Sequence, residues 1–278
     1  GNAPNVTVIR CYVADCFGTY PGNDTQAFAA WNSPGPFRLE DCYFSGGSET
    51  ILFGGADPVD AAHVPAHITI TGCTITKDPA WQLLNIGVKN TLELKNAVDV
   101  LIEDNDISYS WGGHGQDGYL LMLTPRNQDG SAPYSTVKDV TVRNNRFSHG
   151  AAVLAMLGTD NIHPSLPLDG LNFSDNDCAD IDHGKYTGSD RLILVLAGPL
   201  DVTIDGNKIA GWKAGSAVYF GEAPNTCKNF NVTNNTFPPS DYGIMGASSA
   251  PGGLNDPHGS AWKTYVQSGQ LSGNIAQA

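Results

Sequence analysis

Along the chain, apolar and polar positions alternate in short runs that recur at a fixed interval. The segments VTVIRCYV, FRLEDCYF, ITITGCTI, VLIEDNDI, VTVRNNRF, LNFSDNDC, VTIDGNKI and FNVTNNTF share one pattern. Each is apolar, polar, apolar, two small or polar residues, then Cys or Asn, one residue more, and apolar again. The marked positions are Cys11, Cys42, Cys73, Asn105, Asn145, Asn176, Asn207 and Asn235, separated by 31, 31, 32, 40, 31, 31 and 28 residues. Asn274 in LSGNIAQ is placed to begin a ninth repeat. Alternation with a period of two inside a repeat near 31, without helical periodicity, predicts stacked β coils.

A second apolar run accompanies each repeat: QAFAAW, TILFGG, TLELKN, YLLMLT, AVLAML, RLILVL, AVYFGE and YGIMGA. These runs predict a further column of parallel strands. Each coil then buries its face only against its neighbours. At about 4.8 Å per strand, eight or nine coils make a rod roughly 40 Å long. Residues 1–278 read as a single solenoid domain, and the insertion 248–266 is expected to pack over its C-terminal end.

The recurring Asn predicts a buried ladder, because an inward amide can satisfy both the backbone and the Asn of the next coil. Cys11, Cys42 and Cys73 replace it in the first three coils. Their spacing allows a disulfide, but free packed thiols are the expectation. Cys178 takes an inward position equivalent to those of Ile107 and Phe147.

Composition narrows the partners. Thirty-two glycines, seventeen prolines and 15% charged residues suit a turn-rich β protein with a real core. The formal charge of −13 disfavours nucleic acid. No apolar run approaches the roughly 20 residues of a membrane-spanning helix, so no membrane span is expected. The cysteines have no zinc-site spacing. APNVTVI at the N-terminus already reads as coil, so the domain is expected to lack an N-terminal cap, and either a longer parent chain or an assembly with other protein chains is expected to cover that end.

The chain resembles a right-handed parallel β-helix of the pectate-lyase-like superfamily, with its asparagine ladder, over essentially its whole length. DTQAFAAWNSPGPF, FGGADP, TLELKNAVDVLIEDN and LTPRNQDGSAPYSTV resemble segments of bacterial and phage-associated β-helix proteins. The resemblance implies an extracellular or virion-surface rod that recognises a polysaccharide or surface glycan and acts as a lyase by β-elimination. The alternative is a non-catalytic structural protein of a phage particle or cell surface, as decoration, fibre or spike.

The stacking places Lys95 of TLELKNA one coil from Arg126 of YLLMLTPRN. That arrangement is similar to chondroitinase B and the related alginate lyases, and it implies Lys95 as base and Arg126 as its partner on the substrate carboxylate. β-Elimination from a uronate needs such a base and a cation for the developing enolate. Leu92 and Leu94 are expected inward, with Glu93 and Lys95 outward; Glu93 beside Lys95 opposes a base role, and a solvated ion-pair ladder is the competing reading. Glu93, His114, Asp117, Asn127, Gln128, Trp31 and Asn32 are the candidate substrate-binding residues. Trp81, Trp111 and Tyr134 are further candidates for sugar stacking. No cofactor is required. The acid-rich SDNDCADIDHG suggests Ca²⁺, with Asp180 and Asp182 as candidate ligands, against a plain solvated turn. The sequons at Asn5, Asn23, Asn172, Asn231 and Asn234 fall where Asn and Thr abound for structural reasons.

Overall fold

The computed structural model describes residues 3–19, 24–84, 86–221 and 225–277; Asn23 lies outside them. Its three long sheets each contain nine strands: every coil gives one to the first and second sheets, while the third takes eight from the coils and its ninth from the C-terminal insertion. The first runs from Val6–Ile9 to Gly269–Ser272, the second from Tyr12–Cys16 to Ile275–Ala276. The third begins at Phe28–Ala30 and ends on an antiparallel strand, Ser249–Gly252. This is an all-β parallel β-helix. No helix among the described residues is long and apolar enough to cross a membrane.

The period of two creates the core. In the first sheet Val8, Leu39, Ile70, Ile102, Val142, Phe173, Ile204, Val232 and Leu271 stand in register as one inward column. All but Val8 are buried. Each such side chain contributes about 1.5–3 kcal/mol on burial, and a one-residue slip would turn the whole column outward.

The repeated Cys or Asn stands at the corner between the first and second sheets. The residue before it adopts positive φ in every coil, as at Asp41, Asp104, Asn144, Asp175 and Asn234. Asp, Asn and Gly tolerate that conformation best, which explains the small polar residues at this place. The ladder then links coil to coil. The backbone N–H of Asn105 donates to Oδ1 of Asn145 at 3.0 Å, and the same bond joins Asn145 to Asn176, Asn176 to Asn207 and Asn207 to Asn235. Asn235 donates to Asn274, so the ninth coil is present.

In the first coils sulfur takes the acceptor role. The N–H of Cys11 donates to Sγ of Cys42 at 3.3 Å, and that of Cys42 to Cys73 at 3.4 Å. All six cysteines are free thiols. Cys178 is fully buried, as its inward position predicted.

The C-terminal insertion closes its end of the core. Asn255 accepts from the Asn274 N–H at 2.8 Å and so terminates the ladder. The helix Ser260–Tyr265 buries Ala261, Trp262 and Tyr265, and Trp262 packs edge-on to Phe220 and Phe230.

Candidate functional site

The outer face of the third sheet carries the residues singled out by sequence. Ala29, Leu52, Glu93, Met122, Ala155, Leu194, Tyr219 and Met245 form one outward column along it. Glu93 therefore faces away from the core, as its parity predicted, yet its side chain is only 4% exposed. Asn90 Nδ2 donates to it at 3.0 Å and Thr124 Oγ1 at 3.3 Å. Lys95 Nζ lies 3.6 Å away. Burial pushes the Glu93 carboxyl above the usual carboxylate range; Lys95 opposes the shift and the buried Glu49 adds to it.

Lys95 and Arg126 are neighbours through the backbone, where the Arg126 N–H donates to the Lys95 carbonyl at 2.9 Å. Their side chains are committed to different partners. Arg126 Nη1 donates to Asp160 Oδ1 at 2.7 Å and to Asn161 at 3.0 Å. The Asp160 side chain is wholly buried and also accepts from the N–H groups of Asn127 and Ile162. Arg126 thus neutralises a buried acid that folds the neighbouring loop. The pairing of its guanidinium with Lys95 is corrected accordingly.

Asn127 belongs to the same construction. Fully buried, it donates to the Pro164 carbonyl and accepts from the Ala132 N–H, so a substrate contact is replaced by loop bracing. Gln128 is exposed in that loop. His114 and Asp117 stand apart, on a small hairpin, Gly112–Gly113 with Gln116–Asp117, just before the strand Tyr119–Leu123. Arg126 follows the other end of that strand. They do not join Lys95 and Arg126, because the strand itself separates them.

Trp31 lies on the outer face, 38% exposed, beside a pocket of about 200 Å³. Asp24, Gln26, Leu52, Gly54 and Ala56 line it with Trp31. Gly54 has φ +93°, and a Cβ there would meet the Lys95 carbonyl carbon at 2.9 Å; only glycine lets the two coils approach. Gln26 donates to the buried Glu49 at 2.9 Å, and Lys89 bridges Asp24 and Glu49 at 2.8 and 3.2 Å. Asn32 accepts from the Val59 N–H at 3.0 Å. Comparison with known proteins finds no family model, no curated protein and no solved structure that matches this chain. The chemistry of the site therefore rests on its own residues.

The other aromatic candidates do not present a stacking face there. Trp81 and Trp111 are buried with Ile86, Val88, Ala151 and Tyr186 in a satellite cluster. Tyr134 donates its hydroxyl to the Pro58 carbonyl at 2.7 Å.

Asp180 and Asp182 do not converge on a cation. Asp182 Oδ1 accepts from the N–H groups of Gly184 and Lys185, as a turn-forming aspartate does. Asp180 Oδ2 meets His149 Nδ1, Lys185 Nζ and the Tyr186 hydroxyl, each at 2.6 Å. No group of three His, Cys, Asp or Glu among the described residues is placed to hold a metal. Tyr109 stacks on His149 at 4.6 Å, and Tyr109, His149 and Asp180 all have positive φ. Sequence reading missed this cluster. Lys185 and Tyr186 are near Asp180 in sequence, but His149 is 31 residues before it and Tyr109 a further 40, and nothing local joins the three segments.

Burial alone would raise the Asp180 carboxyl, but hydrogen bonds from Lys185, Tyr186 and His149 outweigh it and bring it down to about 2. Its unfolded value is about 3.9, so its contribution to stability is complete above pH ~4 and disappears as pH falls toward 2. Thermal melts at pH 7 and pH 2.5 should therefore show Asp180→Asn destabilised at the higher pH and by well under half as much at the lower. An equal gap at both would exclude that role.

Proposed function

We propose that this rod recognises an extended glycan along the outer face of its third sheet, in the manner of a pectate-lyase-like β-helix at the cell exterior or on a virion. The Trp31 pocket is the observation that carries the reading. An exposed indole offers an apolar plane to a sugar ring, while Asp24 and Gln26 beside it offer acceptors and donors to hydroxyls. The floor beyond runs from Leu52 past the buried Glu93 carboxyl to Met122, and Lys95 borders it.

Binding fits these groups better than cleavage. A lyase base must be free to take a proton, whereas Lys95 sits against Glu93 and Arg126 is held by Asp160. Titration calorimetry with neutral and acidic oligosaccharides should show binding that Trp31→Ala weakens about tenfold or more, the scale of a lost aromatic contact and the area it buried. Unchanged affinity in Trp31→Ala would remove the pocket from the site. The same samples, incubated with alginates, pectates and glycosaminoglycans, should give no ultraviolet absorbance of unsaturated uronate ends. A rising signal abolished by Lys95→Ala would instead establish β-elimination with Lys95 as base.

A further inference from the structure

A second built pocket stands on the same outer face, toward the C-terminal end. Strands Arg191–Leu196, Ala214–Gly221 and Ser240–Gly246 are neighbours, and Arg191, Ser216 and Tyr242 form one row across them. The row faces outward because each of the first two strands next sends two consecutive residues into the core, Leu192 with Ile193 and Ala217 with Val218. Above it lies a cavity of about 190 Å³, completed by Asp190, Tyr219 and Met245.

Three features mark it as a place for a ligand. The Arg191 guanidinium stacks on the Tyr219 ring, 3.8 Å from its centroid, and among the described residues it forms no ion pair, so its donors are held rigid and unspent. Ser216 is 1% exposed and its Oγ has no hydrogen-bond partner, a buried polar group left for something else to satisfy. Tyr242 is 44% exposed at the rim. A Cβ on Gly215 would come within 2.2 Å of Asp190 Oδ2, so glycine is what admits that carboxylate beside the row.

We infer that this pocket binds one neutral pyranosyl ring, as a second subsite of the glycan proposed above; the inference rests on that reading. Its volume falls below the roughly 300–1,000 Å³ of pockets for drug-sized ligands, which suits a single ring. Guanidinium donors beside carboxylate acceptors match adjacent sugar hydroxyls, and the tyrosines supply apolar faces. A uronate would set its charge against Asp190 and a body of net −13. Leu52 of the first pocket and Tyr219 of the second share one outward column, five strands apart, or about 24 Å at ~4.8 Å per strand. One extended chain reaches both.

The test is saturation-transfer and shift-titration NMR with glucose, galactose, mannose, N-acetylglucosamine and galacturonate, on the parent and on Trp31→Ala. In Trp31→Ala at least one neutral sugar should still bind. Adding Ser216→Ala should weaken it about 3- to 10-fold, one hydrogen bond's worth, with no loss of thermal stability because that hydroxyl has no protein partner to lose. Tyr242→Ala should weaken it further. Neutral-sugar binding indifferent to both substitutions, a preference for galacturonate, or loss of all binding with Trp31→Ala alone would overturn this subsite and leave glycan recognition standing. Absence of any sugar response in the parent would overturn both.

Discussion

Replacing Lys77 with methionine should destabilise the protein by about 3–5 kcal/mol at pH 9, the cost of stranding several buried acceptors at once. The lysine ends the second-sheet strand Thr74–Thr76 and is 1% exposed. Its Nζ lies 2.6 Å from the Ser48 carbonyl, 3.2 Å from the Asn90 carbonyl, 3.3 Å from the Gly46 carbonyl and 3.3 Å from Thr50 Oγ1, all within hydrogen-bond reach. These acceptors lie at and beyond the end of the second-sheet strand Tyr43–Gly46 and just before the third-sheet strand Leu92–Leu94, where the chain turns from one sheet into the next. As an amine, with two N–H bonds and one lone pair, the nitrogen can donate to two of these carbonyls and accept from the Thr50 hydroxyl. Methionine fills similar volume but donates nothing.

The effect carries a pH signature. Burial pushes the Lys77 amine from its ordinary 10.5 down to about 7, with Glu49 partly offsetting it. Between those values the unfolded chain binds one more proton than the folded one at this residue, so stability from this group rises with pH. The gap between parent and Lys77→Met in urea midpoint should accordingly widen from pH 7 to pH 9. A midpoint unmoved by the substitution would show that water replaces the amine; a gap constant with pH would show that the ammonium stays charged in its cage.

Asn176→Leu, in the middle of the ladder, should cost about 3–5 kcal/mol as well, because a satisfied buried network becomes a broken one. Asn176 Nδ2 donates to the Val142 carbonyl at 3.0 Å and to Asn207 Oδ1 at 2.9 Å. Its Oδ1 accepts from the backbone N–H of Asn145 at 3.0 Å and from Asn145 Nδ2 at 3.1 Å. Leucine leaves a donor below and acceptors above without partners. Asn176→Cys should cost about half as much, since one backbone bond to sulfur survives, as at Cys42 and Cys73, within the roughly 0.5–1.5 kcal/mol of a net hydrogen bond. Urea denaturation of the two variants orders them; equal losses would mean that sulfur is no acceptor here.

The sequence alone carried much of the architecture and little of the site. Trp31 was legible only as an aromatic beside a loop, and the structure leaves it 38% exposed. Trp81 and Trp111 carry the same kind of local signal and are buried, because other loops close over them. Glu93 was correctly placed outward, but parity says only which face a residue takes. Whether that face is wet depends on Asn90, Lys95 and Thr124 around it. Arg191 and Ser216 escaped because two consecutive inward residues after each break the alternation on which parity depends.

What the sequence determined by itself is the repeat and everything that follows from it locally. Apolar alternation and the Asn or Cys at the period specify eight or nine coils, two columns of parallel strands and a buried ladder, since each depends on neighbours at the period; that the repeat turns a corner at positive φ and so feeds two sheets, making three in all, came from the structure. Only the tertiary structure decided which charges neutralise each other: Arg126 with Asp160, Asp180 with His149 and Lys185, Lys77 with the carbonyls of a turn. Those pairings are made by loops of unequal length, and a Coulombic or hydrogen-bonded contact depends on distance in space, which the repeat does not encode.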